Sequence, residues 1–88
     1  MNDLHTGTAF TAWFVDQAPI LINSTLLIMK TELQIDCMKE AEVTKIAKSI
    51  DQIAILAEQL GIKTIRILHR GISCYVLPVR LALIYPIK

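Results

Sequence analysis

Between Met38 and Leu60 the apolar residues Val43, Ile46, Ala47, Ile50, Ile53, Ala54, Ala57 and Leu60 return every three or four positions. That spacing lines one face of a 3.6-residue helix and predicts one long helix over Met38 to Leu60. Asp36 stands where an N-cap is wanted, Glu40 and Glu42 put negative charge on the first turns, and Gly61 supplies a left-handed residue to stop the helix. The opposite face carries Lys45, Lys48, Asp51, Gln52, Glu58 and Gln59, as a solvated surface should. Ile55 falls among these polar residues, and Leu56 widens the apolar stripe beside it. A single surface apolar residue is ordinary; with its neighbour it marks a second surface for packing against a partner.

Outside this stretch the pattern reads as strands. Ala9 to Val15 is rich in aromatic and β-branched residues, and Asp16 to Pro19 supplies a turn. Ile20 to Ile22 reads as a short returning strand. Thr25 to Ile35 alternates at period two, with Leu27, Met29, Thr31, Leu33 and Ile35 on one face. Leu26, Leu27, Lys30 and Leu33 also fit a short helix after an Asn-Ser-Thr cap, and strand is preferred. After Gly61, the run Ile62 to Leu68 alternates again and ends at His69-Arg70-Gly71, a tight turn. Ile72 to Leu77 follows, Pro78 interrupts because proline cannot donate to a ladder, and Leu81 to Tyr85 makes the last strand. The expected fold is α+β, in the order β-β-(β)-α-β-β-β: a mostly antiparallel sheet of five or six strands with one long helix packed on it. Residues 1–8 read as a flexible terminus and 9–88 as a single domain.

Composition adds a surplus of apolar surface. Of the 88 residues, 53% are hydrophobic and 19% charged, with a mean hydropathy of +0.49, more than so small a body hides easily. No run reaches the roughly 20 apolar residues a membrane span requires. The nearest, Ala18 to Met29, is short and holds Pro19, Asn23, Ser24 and Thr25. The start MNDLHTGTAF lacks the basic and apolar regions of a signal peptide, so the chain reads as soluble and cytoplasmic. Cys37 and Cys74 form no CxxC motif and read as two reduced, partly buried thiols.

Charge is divided. Residues 1–61 hold eight acids and four lysines, a balance of −4, whereas residues 62–88 hold Lys63, Arg66, Arg70, Arg80 and Lys88 with no acid, a balance of +5. The two parts attract each other, within one molecule or between two, or offer a basic surface to an acidic partner. His5 and His69 stand alone, without companions at metal-ligand spacing. There is no GxSxG, phosphate loop, zinc signature or paired carboxylate, so no catalytic, cofactor-binding or metal-binding residue is assigned, and no enzyme activity is expected.

Leu56-Ala57-Glu58-Gln59-Leu60-Gly61-Ile62, followed by IKTIRILHRGISCYVLPVRLALIYPI, resembles the roadblock/LC7 family, in which an Ala- and Leu-rich helix closes on an L-A-x-x-L-G ending and feeds a β-meander. FTAWFVDQAPILIN is similar to that family's first hairpin. The chain departs from the family in lacking a helix before the first strand or after the last. The resemblance implies a homodimer or heterodimer built by pairing long helices and sheet edges, serving as scaffold or regulator for a small GTPase or motor complex. Its pairing surface would fall on Lys48, Gln52, Ile55, Leu56 and Gln59 of the helix and on Lys63, Ile65, Arg66 and Leu68 of the next strand. The competing reading is a small-molecule sensor of profilin-like or PAS-like type, with Trp13 or Tyr75 as polar handle in a pocket between helix and sheet. Nucleic-acid binding is disfavoured, because five cations are few for a phosphate track.

Overall fold

The computed structural model describes residues 12–84. It is an α+β fold with one four-stranded mixed sheet and a helical layer on one face. In chain order, helical residues 12–17 (α1) and a 3₁₀ turn at Pro19–Leu21 lead into β1 (Ser24–Met29) and β2 (Glu32–Cys37). Helices α2 (Glu40–Lys48) and α3 (Ile50–Gln59) follow, then β3 (Thr64–His69), β4 (Ile72–Pro78) and α4 (Val79–Ile84). The sheet order is β1-β2-β3-β4, with antiparallel outer pairs and a parallel central pair.

The expected architecture of five or six mostly antiparallel strands under one long helix is therefore corrected at several points, each with a local cause. The aromatic stretch is helical over 12–17, and its residues 9–11 lie outside the described part, as do residues 1–8. Phe14, Ala18 and Leu21 are all buried. Their four- and three-residue steps are helical, and the Ala18 amide donates to the Phe14 carbonyl at 2.8 Å. Core packing overrides the β propensity of the aromatics here. Ile20 to Ile22 is likewise no strand, since Pro19 opens a 3₁₀ turn.

Thr25 to Ile35 is a hairpin rather than one strand. Its two-residue loop, Lys30-Thr31, has no glycine, and Lys30 takes the left-handed φ of 59° itself. The loop pairs Met29 with Glu32, so the parity of inward residues changes across it: Leu26 faces the core in β1, and Leu33, Ile35 and Cys37 do so in β2. Leu27 and Met29 consequently lie on the face opposite Leu33 and Ile35. Asp36, expected as an N-cap, sits inside β2; α2 is preceded by Lys39 and has no side-chain cap.

The long helix is two helices. At Ser49 the backbone leaves helical values (φ −106°, ψ 18°), and its amide bonds back three residues to the Ile46 carbonyl at 3.0 Å. The apolar stripe nevertheless survives the break. Val43, Ile46, Ala47, Ile50, Ile53, Ala54 and Ala57 are all buried in one core, α2 packing on β2 and β3 and α3 chiefly on α4. Leu60 falls outside, as α3 closes in a Schellman motif: the Ile62 amide donates to Ala57 O (3.0 Å) and Gly61 N–H to Glu58 O (3.1 Å), with Gly61 at φ 78°.

Beyond Gly61 the chain returns to the start of β2, where the amides of Lys63 and Thr64 donate to the Thr31 carbonyl at 2.8 and 3.2 Å. This return makes β3 parallel to β2 rather than antiparallel. The last expected strand is helix α4. Val79 and Ala82 are buried and Leu83 packs against them, again at helical steps; Tyr85 lies outside the described residues. On the inner sheet face Leu33, Ile35, Ile65 and Ile67 are fully buried beneath α2 and its neighbours.

Candidate interaction surface

Among the described residues, the buried side chains of the sheet, from Leu26 to Ile67, all lie on its inner face, the side of the helical core. The outer face carries Thr25, Leu27 and Met29 from β1, Glu32, Gln34 and Asp36 from β2, Thr64, Arg66 and Leu68 from β3, and Val76 from β4. A polar row crosses its middle. Arg66 Nε donates to Glu32 Oε2 at 2.9 Å, Arg66 Nη1 to Ser73 Oγ at 3.0 Å, and Gln34 Nε2 to Glu32 Oε2 at 2.8 Å. These bonds hold the Glu32 carboxyl below its ordinary pKa, the hydrogen bond from Arg66 contributing most and that from Gln34 next. Beside the row, Leu27 and Met29 are 51% and 55% exposed, an unusual condition for two neighbouring large apolar side chains on one strand face.

The two edges of the sheet differ. The carbonyls of Thr31 and Cys37 accept hydrogen bonds from Thr64 and Arg70, so odd-numbered residues of β2 address β3. Even-numbered ones then address β1, bonding Thr25, Leu27 and Met29 through the pairs Asp36–Thr25, Gln34–Leu27 and Glu32–Met29. The backbone groups of Ser24, Leu26 and Ile28 therefore point out of the sheet. This outward row is regular, without proline, bulge or charge.

By the same alternation β4 presents Val76 and Pro78 outward, and Pro78 has no N–H to offer. The register shifts between Ile67 and Leu68, which pair with Tyr75 and Ser73, so Cys74 is an extra residue. A bulge and a terminal proline are the devices by which natural sheets blunt an edge. Arg70 and Arg80 also bracket the strand.

The residues implied by the resemblance do not form one surface. Lys48, Gln52, Ile55 and Gln59 are exposed on the helical layer, with Ile55 51% exposed, while Leu56 is half-buried against the core. Ile65 is fully buried, and Arg66 and Leu68 lie on the opposite side of the molecule from the helices. Lys63 is exposed just ahead of β3. Strand β3 is bonded on both sides, to β2 and to β4, and has no free edge to pair. Strand order decides this, and it is set by long-range contacts invisible in local patterns. Leu27, Met29 and the free row of β1 were missed for the same reason; the signal available was the charge-free run Ser24–Met29.

The expected pocket between helix and sheet is filled by side chains such as Ile46, Ile50 and Ile53. Trp13 packs edge-on against Phe14, with centroids 5.4 Å apart and planes at 87°, and Tyr75 is partly exposed on the edge strand β4. An open cleft of about 440 Å³ lies instead between the end of α3 and the start of α4, lined by Glu58, Gly61, Ile62, Lys63, Pro78, Val79 and Arg80.

Both cysteines are free, Cys37 buried and Cys74 exposed. Burial pushes the Cys37 thiol up, and its contact with Ser24 Oγ at 3.8 Å opposes this. Among the described residues, no group of three His, Cys, Asp or Glu is placed to hold a metal, and no helix is long and apolar enough to cross a membrane. No family model, curated protein or solved structure matches the chain.

Proposed function

We propose that the chain is a self-associating protein-interaction module, acting by association rather than by chemistry on a substrate. One observation carries the reading: among the described residues the helical layer covers one face of the sheet, and the other face keeps large apolar side chains exposed. That face holds Leu27, Met29 and Val76, all substantially exposed among the described residues. The free thiols fit a reducing, cytoplasmic setting. Association with a small GTPase or motor assembly follows only from the sequence resemblance and adds no residue to this surface. Sedimentation equilibrium tests the reading. A mass rising above 9.9 kDa at tens to hundreds of micromolar supports it, and a strict monomer throughout that range contradicts it.

A second reading, a small-ligand sensor, is favoured by the cleft between α3 and α4, whose lining joins the cations Lys63 and Arg80 to the apolar Ile62 and Val79. Native mass spectrometry of gently purified protein decides it: a retained small molecule supports a sensor, and the bare mass counts against one.

A further inference from the structure

We infer that β1 is the seam of a two-fold dimer, in which the β1 strands of two copies pair antiparallel and join two four-stranded sheets into one of eight strands. The inference rests on the self-association proposed above and adds its partner and register. Three features of the edge choose a second copy of this chain as occupant.

The first is backbone complementarity. Ser24, Leu26 and Ile28 point their N–H and C=O groups outward, and a two-fold axis perpendicular to the sheet sets such a row against itself with donors facing acceptors. That axis keeps each residue on its own face. The register centred on Leu27 sets Leu27 against Leu27, Leu26 against Ile28 and Thr25 against Met29 of the second copy. It sets both exposed apolar side chains of β1, Leu27 and Met29, beside residues of the second copy, whereas centring on Leu26 leaves Met29 out.

The second is charge. No residue of β1 is charged, so nothing repels across the axis. The same register brings Lys30 of each copy to the end of the sheet where the other carries Asp36, the β2 partner of Thr25. Pairing β4 with itself would instead bring Arg70 near Arg80 of the second copy.

The third is closure. In this sheet β1 and β4 run in the same direction, so a β1 edge could stack on the β4 edge of the next copy and build an open filament. The Cys74 bulge and Pro78 block that edge, leaving the closed β1 pair.

The test is cysteine cross-linking on the full chain. Leu27→Cys, placed in a Cys74→Ser background, puts two thiols at a non-hydrogen-bonded pair, where Cα atoms lie about 4.5 Å apart, within disulfide reach. Mild oxidation is expected to convert most of the protein to a covalent dimer, with Thr25→Cys or Met29→Cys alone giving little. Leu27→Lys is expected to raise the dissociation constant at least tenfold in sedimentation, and Val76→Lys on the other edge to leave it within twofold. Circular dichroism melting confirms that each variant is folded. A dimer that survives Leu27→Lys and fails to cross-link at position 27 overturns the inference while leaving self-association standing. A wild-type monomer at all concentrations removes both. Leu26 and Ile28 amides protected to the same degree at every concentration would show the edge covered within one molecule, which also overturns it.

Discussion

Strands β1 and β4 bound the same sheet, are similar in length, and are each tied to the inner strands by a two-residue hairpin loop, yet their outer rows are built differently. β4 carries an extra residue at Cys74, ends in Pro78 and is flanked by Arg70 and Arg80; β1 has neither bulge nor proline, and a single cation, Lys30, follows it. Edges that are blunted are edges a protein leaves in water. The contrast also extends to anchoring. Leu26 of β1 is buried in the core, whereas Tyr75, facing inward from β4, is 40% exposed among the described residues. β1 is thus held firmly to its own molecule while its outward row pairs with no other described strand. β4 is held mainly at its Leu77 end, where the chain turns into α4.

The largest expected effect tests that anchoring. Leu26→Ala should cost about 2–5 kcal/mol in urea unfolding, the range for emptying a buried leucine site. Tyr75→Ala should cost about 1 kcal/mol, as an exposed edge position does. Equal losses would abolish the distinction between the two edges.

The hairpin loops come next, with opposite signs. Gly71 has φ 84° with open space around it, so Gly71→Ala should destabilise by about 1 kcal/mol through backbone strain alone. Lys30→Gly should stabilise by about 0.5–1 kcal/mol, since Lys30 holds φ 59° without glycine's freedom. Thermal melts of the two variants should therefore move in opposite directions.

The polar row offers a smaller effect. Glu32 has a folded pKa below its unfolded value, so its ion pair with Arg66 stabilises the protein above the unfolded carboxylate value of about 4.3. That contribution is lost as pH falls through the lower folded value. Both side chains are partly solvated, which limits the pair to below about 1 kcal/mol. Glu32→Gln should therefore lower stability slightly at pH 7 and converge with the wild type in strong acid. A constant difference across pH would assign the loss to packing instead. Thiol labelling gives a readout without a stability change: Cys74 at the β4 bulge should react at once, and buried Cys37 only as fast as the strand ends open.

Part of this was legible in the sequence. The apolar stripe from Val43 to Ala57, the Gly61 stop and the Arg70-Gly71 turn are local signals, and the structure uses each of them. Ile55 could be read as outward-facing from helical geometry alone. The hairpin at Lys30-Thr31 could not, because its loop has neither glycine nor asparagine and its alternation runs on through the turn. Phe14, Ala18 and Leu21 spell a helical step that aromatic β propensity hides, and Val79, Ala82 and Leu83 do the same at the far end. The strand order was hidden most deeply. Whether β3 is an edge or an inner strand depends on where α3 returns the chain, which no local pattern in Thr64–His69 records, and the structure bonds β3 on both sides.

Amide hydrogen exchange followed as a function of protein concentration tests the seam most directly. The outward amides of Leu26 and Ile28 should exchange quickly in dilute protein and slow by at least tenfold as concentration rises through the dimerisation range, while the outward Val76 amide of β4 stays fast throughout. Slowing at Val76 with no change at Leu26 and Ile28 would place the seam on the other edge and contradict the account.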